Sequence, residues 1–484
     1  MKLNEKIGKL LRSTRLMLLF IVLFGLILRL IFFSGMGISD DLAYSKAAHD
    51  LMESKGIDPN STLTLSTRLG LIYPTIFFYK LLGINDFSSV LFPLLTSIVT
   101  IILIFYFGKL LFNEKIGLIA AFLLSIFPLD VVYATKLNSD LPSAFFMALG
   151  VYLFLYSEKT EKLKINYLIS GIFIGIGYLI RESALLIALF FIAYIIPKKK
   201  IKKEYFLVPV GVMIIFIAES FLFFSLTGDP LFRSNASQKY LEEAVISHDY
   251  FGRLDFPTGL LHYPWLFLTN NLLSFFYVFI FIAVIYLLRY KRKETREMLF
   301  WLIPLLLYLS FGSASLTSYI PFRAVDRYTS IFTIPAIILL AVFLAEKKYL
   351  IKKWVMPLAI TVLLISSIVI VYQREDRNLL GNLRQISPFL QSLDKPAYTD
   401  ERSLRALDYI SGYNNKISIK DYPKDLSNIK NSYAVVNKEM IRNLMEANKN
   451  TIFPKEIGNP PKTWQVIKEI GKEDKNKILV YQVK

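Results

Sequence analysis

Apolar runs of about 17–25 residues recur along this chain, each long enough to cross a hydrocarbon core of roughly 30 Å. Backbone inside a bilayer must satisfy its own hydrogen bonds, so repeated runs of this length require repeated membrane-spanning helices. Read by length they number about eleven, near residues 16–36, 87–111, 116–134, 141–156, 165–180, 183–197, 205–227, 272–289, 298–316, 328–345 and 354–372. Composition agrees: 54% of the 484 residues are hydrophobic, only 19% are charged, and the mean hydropathy is +0.46. Cysteine is absent, which excludes disulfides and thiolate metal sites.

The formal charge of +18 is distributed in a telling way. Basic residues crowd alternate connections: Lys2, Lys6, Lys9, Arg12 and Arg15; Lys159, Lys162 and Lys164; Lys198 to Lys200 with Lys202 and Lys203; Arg289, Lys291, Arg292, Lys293 and Arg296; Lys347, Lys348, Lys352 and Lys353. By the positive-inside bias these connections are cytoplasmic, which puts the N-terminus inside and the C-terminus outside a cell (plasma) membrane. No arginine-rich tail or aromatic-interleaved basic strip points to nucleic acid. The first apolar segment contains Arg29 and lacks a small-x-small cleavage site, so it reads as a retained anchor.

The opposite connections are long, at 37–86 and 228–271. In the first of them, Asp41 to Ser54 carries Leu42, Ala43, Ala47, Leu51 and Met52 at helical spacing, and Leu69 to Leu82 is apolar but short and broken by Pro74. Both read as interfacial helices. Beyond residue 372 the chain turns polar, with β-like runs at Tyr433–Asn437 and Ile478–Val483 and a helical stretch at Lys438–Asn448. The expected fold is an α-helical polytopic membrane domain over 1–372 and a small extracytoplasmic α/β domain over 373–484.

Chemistry concentrates at one predicted depth. Asp40 and Asp41 lie just past the first span; Arg29, Arg68, Asp140, Arg181, Glu182, Glu219, Arg323, Asp326 and Arg327 fall near the outer ends of spans or in outer connections. An ionised group costs about 2.5–3.5 kcal/mol at a helix centre, so several at one level suggest a shared polar cavity. A carboxylate there can take a proton from an attacking hydroxyl or amine, and guanidinium forks suit phosphate oxygens. Together they fit displacement from a phosphate-bearing lipid. Plainer readings stand beside this one. Asp40 and Asp140 fit helix N-caps, Arg29 can snorkel to headgroups, and Arg181–Glu182 fits a surface pair. Glu219 has no local explanation and calls for a partner on another helix. His49, His248 and His262 match no metal motif and read as solvated loop residues. A transporter or lipid flippase is the competing function, although its charges belong near the midplane. A membrane anchor displaying a binding domain is the third.

The motifs also carry a resemblance. Asp40-Asp41-Leu42-Ala43-Tyr44 is followed by Arg68-Leu69-Gly70-Leu71-Ile72-Tyr73-Pro74, closing at Leu81-Leu82-Gly83. Phe127-Pro128, Asp140-Leu141-Pro142, the stretch Gly171 to Gly177 leading into Arg181-Glu182, and Arg327-Tyr328 with Pro335 come next in order. This series resembles the GT-C class of polytopic membrane glycosyltransferases, and within it the branch of protein O-mannosyltransferases and lipid A aminoarabinose transferases. It covers roughly residues 16–345, and the remainder is similar to the variable outer domain of such enzymes. Two departures stand out: the second acid is Asp41 where the family commonly has Glu, and the Trp-Trp-Asp signature of oligosaccharyltransferases is absent.

The resemblance implies that Asp40 is the catalytic acid–base residue and that Asp41 assists it. It implies a donor-phosphate and substrate set of Arg68, Tyr73, Asp140, Arg181, Glu182, Glu219, Arg323, Arg327 and Tyr328. The donor would be a polyprenyl-phosphate-linked sugar, such as a dolichyl-phosphate monosaccharide. The sugar would pass with inversion to a protein, lipid or glycan acceptor on the outer face, among membrane lipids. No cofactor or tightly held metal is required, although Asp40 and Asp140 suit a divalent cation.

Overall fold

The computed structural model describes residues 13–57, 64–161, 163–198, 201–246, 261–289, 293–313, 319, 322, 324–345, 354–374, 379–414, 418–423, 425–426, 429–447, 455–471 and 476–484. Its helices run α1 Thr14–Ile31, α2 Asp40–Met52, α3 Leu69–Leu82, α4 Asp86–Leu111, α5 Glu114–Ile126, α6 Pro128–Tyr133, α7 Asp140–Thr160 and α8 Ile165–Ile180. They continue with α9 Ala188–Ile195, α10 Leu207–Thr227, α11 Phe232–Ile246, α12 His262–Thr269, α13 Ser274–Arg289, α14 Arg296–Phe311, α15 Ser330–Ala345 and α16 Val355–Tyr372.

Every predicted apolar segment is therefore helical over most of its length, among the described residues. Among the described residues, five helical stretches are long and apolar enough to cross a membrane: Thr14–Ile31, Asp86–Leu111, Asp140–Thr160, Lys203–Thr227 and Asp326–Ala345. The chain is a multi-pass membrane protein. Two predicted spans are less regular than expected. The segment at 116–134 breaks after Ile126, because Pro128 lacks the amide that would continue the ladder and instead starts α6. The segment at 183–197 opens as a 3₁₀ turn, Glu182–Ile187, before α9. Pro74 does not break α3.

The chain divides into two compact units. The first comprises 1–33, 56–74 and 90–375; the second comprises 34–55, 75–89 and 376–484. In the first, α15 is apolar on all sides and fourteen of its sixteen residues are buried, as expected of a helix enclosed by others. It packs against α5, α7, α13 and α14. By contrast α1 and α10 leave large apolar side chains outward, including Phe20, Ile31, Ile217 and Phe221. That is the surface a bilayer covers. Helices α8 and α10 approach so closely that a Cβ added at Gly171 would stand 1.9 Å from the Val208 carbonyl oxygen. Only glycine fits there.

In the second unit the C-terminal residues form a mixed sheet of order β2-β1-β3-β5-β4. Its strands are β1 Ala397–Thr399, β2 Ile419–Asp421, β3 Ser432–Asn437, β4 Gln465–Ile470 and β5 Ile478–Val483. The first three are mutually parallel, and β3–β5 and β5–β4 are antiparallel. The helices α17 Gly381–Gln391, α18 Glu401–Ile410 and α19 Lys438–Ala447 accompany them. β3 is buried along its whole length, as an inner strand should be. Asp400 caps α18, its Oδ1 accepting the Ser403 amide at 2.9 Å.

Candidate active site

The acid pair belongs to the second unit. Helix α2 begins at Asp40 with Ser39 as its N-cap, so both aspartates occupy the first turn rather than the cap itself. Their charge there suits the positive end of the helix dipole. Asp40 is half-buried, and Ser39 Oγ donates to its Oδ1 at 3.4 Å. Asp41 is 7% exposed and folds back, its Oδ2 accepting the Gly37 amide at 3.1 Å. A Cβ at position 37 would stand 3.1 Å from Asp41 Oδ1, so Gly37 leaves room for this carboxylate.

The first unit gathers the predicted charges into one buried network. Arg68 and Arg181 both donate to Ser139 Oγ, at 3.1 and 3.4 Å. Arg181 pairs with Asp140 at 2.6 Å and lies over the Tyr328 ring at 4.7 Å; Arg327 approaches Asp140 at 3.6 Å. Asp140 starts α7, with Ser139 at the N-cap and Asn138 Oδ1 accepting the Asp140 amide at 2.8 Å. Arg68 also reaches Glu182 at 3.4 Å. Three guanidinium groups thus converge on the turn that opens one helix.

Glu182 leads to the residue that sequence reasoning missed. Arg233, on α11, is 3% exposed. Its Nε and Nη2 donate to Glu182 Oε1 at 2.9 and 2.7 Å, its Nη1 to Glu219 Oε1 at 2.6 Å, and its guanidinium lies 4.4 Å from the Tyr178 ring centre. The partner that Glu219 demanded therefore sits on the segment immediately following its own helix. Asp326 has partners of its own. It accepts Tyr133 OH at 3.0 Å and Asn270 Nδ2 at 3.3 Å, which fixes the turn carrying Arg327.

Three further outcomes concern single residues. Arg29 does not snorkel: it is fully buried, paired with Asp130 at 2.5 Å and hydrogen-bonded to Ser97 Oγ at 2.8 Å and to the Gly25 and Ser125 carbonyls. An unpaired carboxylate inside a predicted span, at Asp130, was the available signal. His49 is not solvated, because α2 turns it inward onto the Tyr413 ring at 4.4 Å. Tyr73 stands 41% exposed on α3, while Arg323 and His248 lie outside the described residues. Among the described residues, no group of three or more His, Asp or Glu side chains is arranged to hold a metal ion.

The chain shares its fold with solved polytopic membrane glycosyltransferases of the GT-C class. ArnT from Cupriavidus metallidurans, solved bound to undecaprenyl phosphate, is similar at TM-score 0.64 and 13% identity, over 96% of this chain and 98% of that one. The Archaeoglobus fulgidus oligosaccharyltransferase, solved tethered to an acceptor peptide, matches at TM-score 0.57 and 13% identity, over 88% of this chain and 69% of its own. The mycobacterial arabinofuranosyltransferase AftD matches at 0.52 and 11% identity, over 97% of this chain and 40% of its own. A family model described as dolichyl-phosphate-mannose-protein mannosyltransferase matches residues 71–224. No curated protein matches in sequence. Fold and family model bear out the resemblance read from the motifs.

Proposed function

We propose that this chain is a membrane glycosyltransferase that moves a sugar from a polyprenyl-phosphate-linked donor to an acceptor on the outer face of the membrane. The observation that carries the reading is the convergence of Arg68, Arg181 and Arg327 on Ser139-Asp140, within a fold shared almost end to end with an enzyme solved bound to undecaprenyl phosphate. Guanidinium groups preorganised around the buried Asp140 carboxylate are rigid donors for a phosphate whose charge grows as the sugar departs. Arg327 has the most exposed side chain of the three, at 24% against 11% for Arg68 and 10% for Arg181, and is the first choice for the lipid phosphate. Arg68 and Arg181 hold the framework around it.

Asp40 acts as the base that takes the acceptor's proton, and Asp41, tied to the Gly37 amide, keeps the first turn of α2 in place. Attack at the anomeric carbon as the phosphate leaves inverts that centre. The N-terminus is cytoplasmic and the α/β domain extracytoplasmic, a reading supported by the alternation of basic connections. The acceptor is a protein, a lipid or a glycan. The test is transfer of label from radiolabelled polyprenyl-phosphate sugars in membranes carrying the wild type or Asp40→Asn. Label transfer lost with the substitution supports the reading; transfer that survives it, or a wild type inert with every such donor, refutes it.

A further inference from the structure

The second unit contains a line of hydroxyl groups that the chemistry above does not use. Tyr413 OH donates to Ser45 Oγ at 2.9 Å, Ser45 Oγ lies 2.7 Å from Tyr79 OH, and Tyr79 OH lies 2.8 Å from Ser89 Oγ. Ser89 Oγ lies 3.0 Å from Tyr409 OH, which donates to Asp86 Oδ1 at 3.0 Å. Asp86 is also ion-paired with Arg384 of α17. An ionised carboxylate only accepts and each hydroxyl has one proton to give, so one order satisfies every contact: Tyr413 to Ser45 to Tyr79 to Ser89 to Tyr409 to Asp86. The Asn85 carbonyl, 2.7 Å from Ser89 Oγ, shares that proton. Hydroxyls aligned in one direction polarise one another, so the line is stronger than its separate bonds.

The line ends on the helix of the acid pair. Ser45 is four residues beyond Asp41 and His49 eight, so all three share one face of α2, and all three are buried. Tyr413 grips that face twice, through its hydroxyl to Ser45 and through its ring on His49. Directional bonds in a buried setting fix the rotation of a short helix more sharply than apolar contact does. Burial pushes the Tyr409 and Tyr413 phenols above their ordinary range, with the Asp86 carboxylate adding to the effect at Tyr409, so both remain protonated donors.

We propose that the C-terminal α/β domain is a positioning element for the acid pair: Tyr409 and Tyr413, acting through the hydroxyl line on Ser45, set the rotation of α2 and hence the direction of Asp41 and Asp40. This rests on the reading of Asp40 and Asp41 as the reacting acids. The test uses the full chain in nanodiscs with Tyr413→Phe, Tyr409→Phe, the double variant, and Tyr433→Phe as control. The control removes one hydroxyl bond of the same domain, that to Asp394, which takes no part in the line. Hydrogen–deuterium exchange over residues 40–52 and the kinetics of transfer from a polyprenyl-phosphate sugar are both read. Expected are about tenfold faster exchange over α2 and about a tenfold fall in kcat with the donor KM unchanged. The double variant should be no worse than the worse single, and Tyr433→Phe silent. Unchanged exchange over α2 overturns the proposal, as does faster exchange with kcat intact. A wild type without transfer activity whose α2 still loosens in Tyr413→Phe refutes the catalytic reading and supports the clamp.

Discussion

Replacing Arg233 with Met should release α11, and the size of the effect follows from its contacts. Arg233 is 3% exposed and its Nη1 holds Glu219 at 2.6 Å, where Glu219 is itself 4% exposed. Removing one partner of such a buried pair strands the other charge and costs about 3–5 kcal/mol. The second arm, to Glu182, adds little, because that carboxylate's side chain is 38% exposed and an exposed pair is worth about 0–1 kcal/mol. Lost packing of the guanidinium on Tyr178 contributes about 0.5–2 kcal/mol. The local loss is therefore about 5–6 kcal/mol, which corresponds to a rise of roughly four powers of ten in the open population. Hydrogen–deuterium exchange over residues 232–246 in the detergent-solubilised chain reads that population. Neutralising the stranded partner, in Arg233→Met with Glu219→Gln, should restore most of the protection, and the double-mutant cycle should give a coupling of about 2–3 kcal/mol. Exchange in Arg233→Met within threefold of wild type, or strictly additive effects of the two substitutions, would refute the reasoning.

Gly171→Ala should lower the thermal stability of the solubilised protein by about 1–3 kcal/mol, because its Cβ meets the Val208 carbonyl at 1.9 Å and forces α8 from α10; an unchanged melting temperature counts against that contact. Gly37→Ala should reduce kcat without raising the donor KM, since the new Cβ presses on Asp41 at 3.1 Å; wild-type kinetics would show that the carboxylate yields freely. Burial raises the Asp400 and Asp421 carboxyls above the ordinary range, with charge nearby in both cases adding to the rise. Their contribution is complete below the ordinary carboxylate pKa and is lost as pH climbs through the raised values. Protection of β1 and β3, corrected for intrinsic exchange, should thus fall between acid and neutral pH. Asp400→Asn, which keeps the cap to Ser403, should flatten that fall; an unaltered slope contradicts the assignment.

Much of this architecture is legible in the sequence because bilayer thickness dictates the length of apolar runs, and no packing detail is needed to read them. The strands at 433–437 and 478–483 are also legible, being β-branched or aromatic and bounded by polar turns. Harder to see are β1, β2 and β4, of which two are three residues long and the third is exposed almost throughout, so neither alternation nor length marks them. Within the site, the need for a partner to Glu219 is plain from hydropathy, yet Arg233 looks like any solvated loop arginine, because no single apolar face marks α11 as a packed helix. Asp130 hides for the opposite reason: a single acid beside Pro128 in an apolar run resembles a helix-start residue, and only the fold brings Arg29 to it. His49 reads as solvated because its covering ring, Tyr413, is 364 positions away in the chain.

The central claim divides labour between an acid that sets the rate and an arginine that holds the donor. Steady-state kinetics of purified wild type, Asp40→Asn and Arg327→Ala against a titrated polyprenyl-phosphate sugar, following release of the polyprenyl phosphate, test it directly. The account predicts that Asp40→Asn lowers kcat by about 10²-fold or more with the donor KM unchanged, while Arg327→Ala raises that KM. Wild-type turnover in Asp40→Asn, or an unchanged donor KM together with full activity in Arg327→Ala, would contradict it.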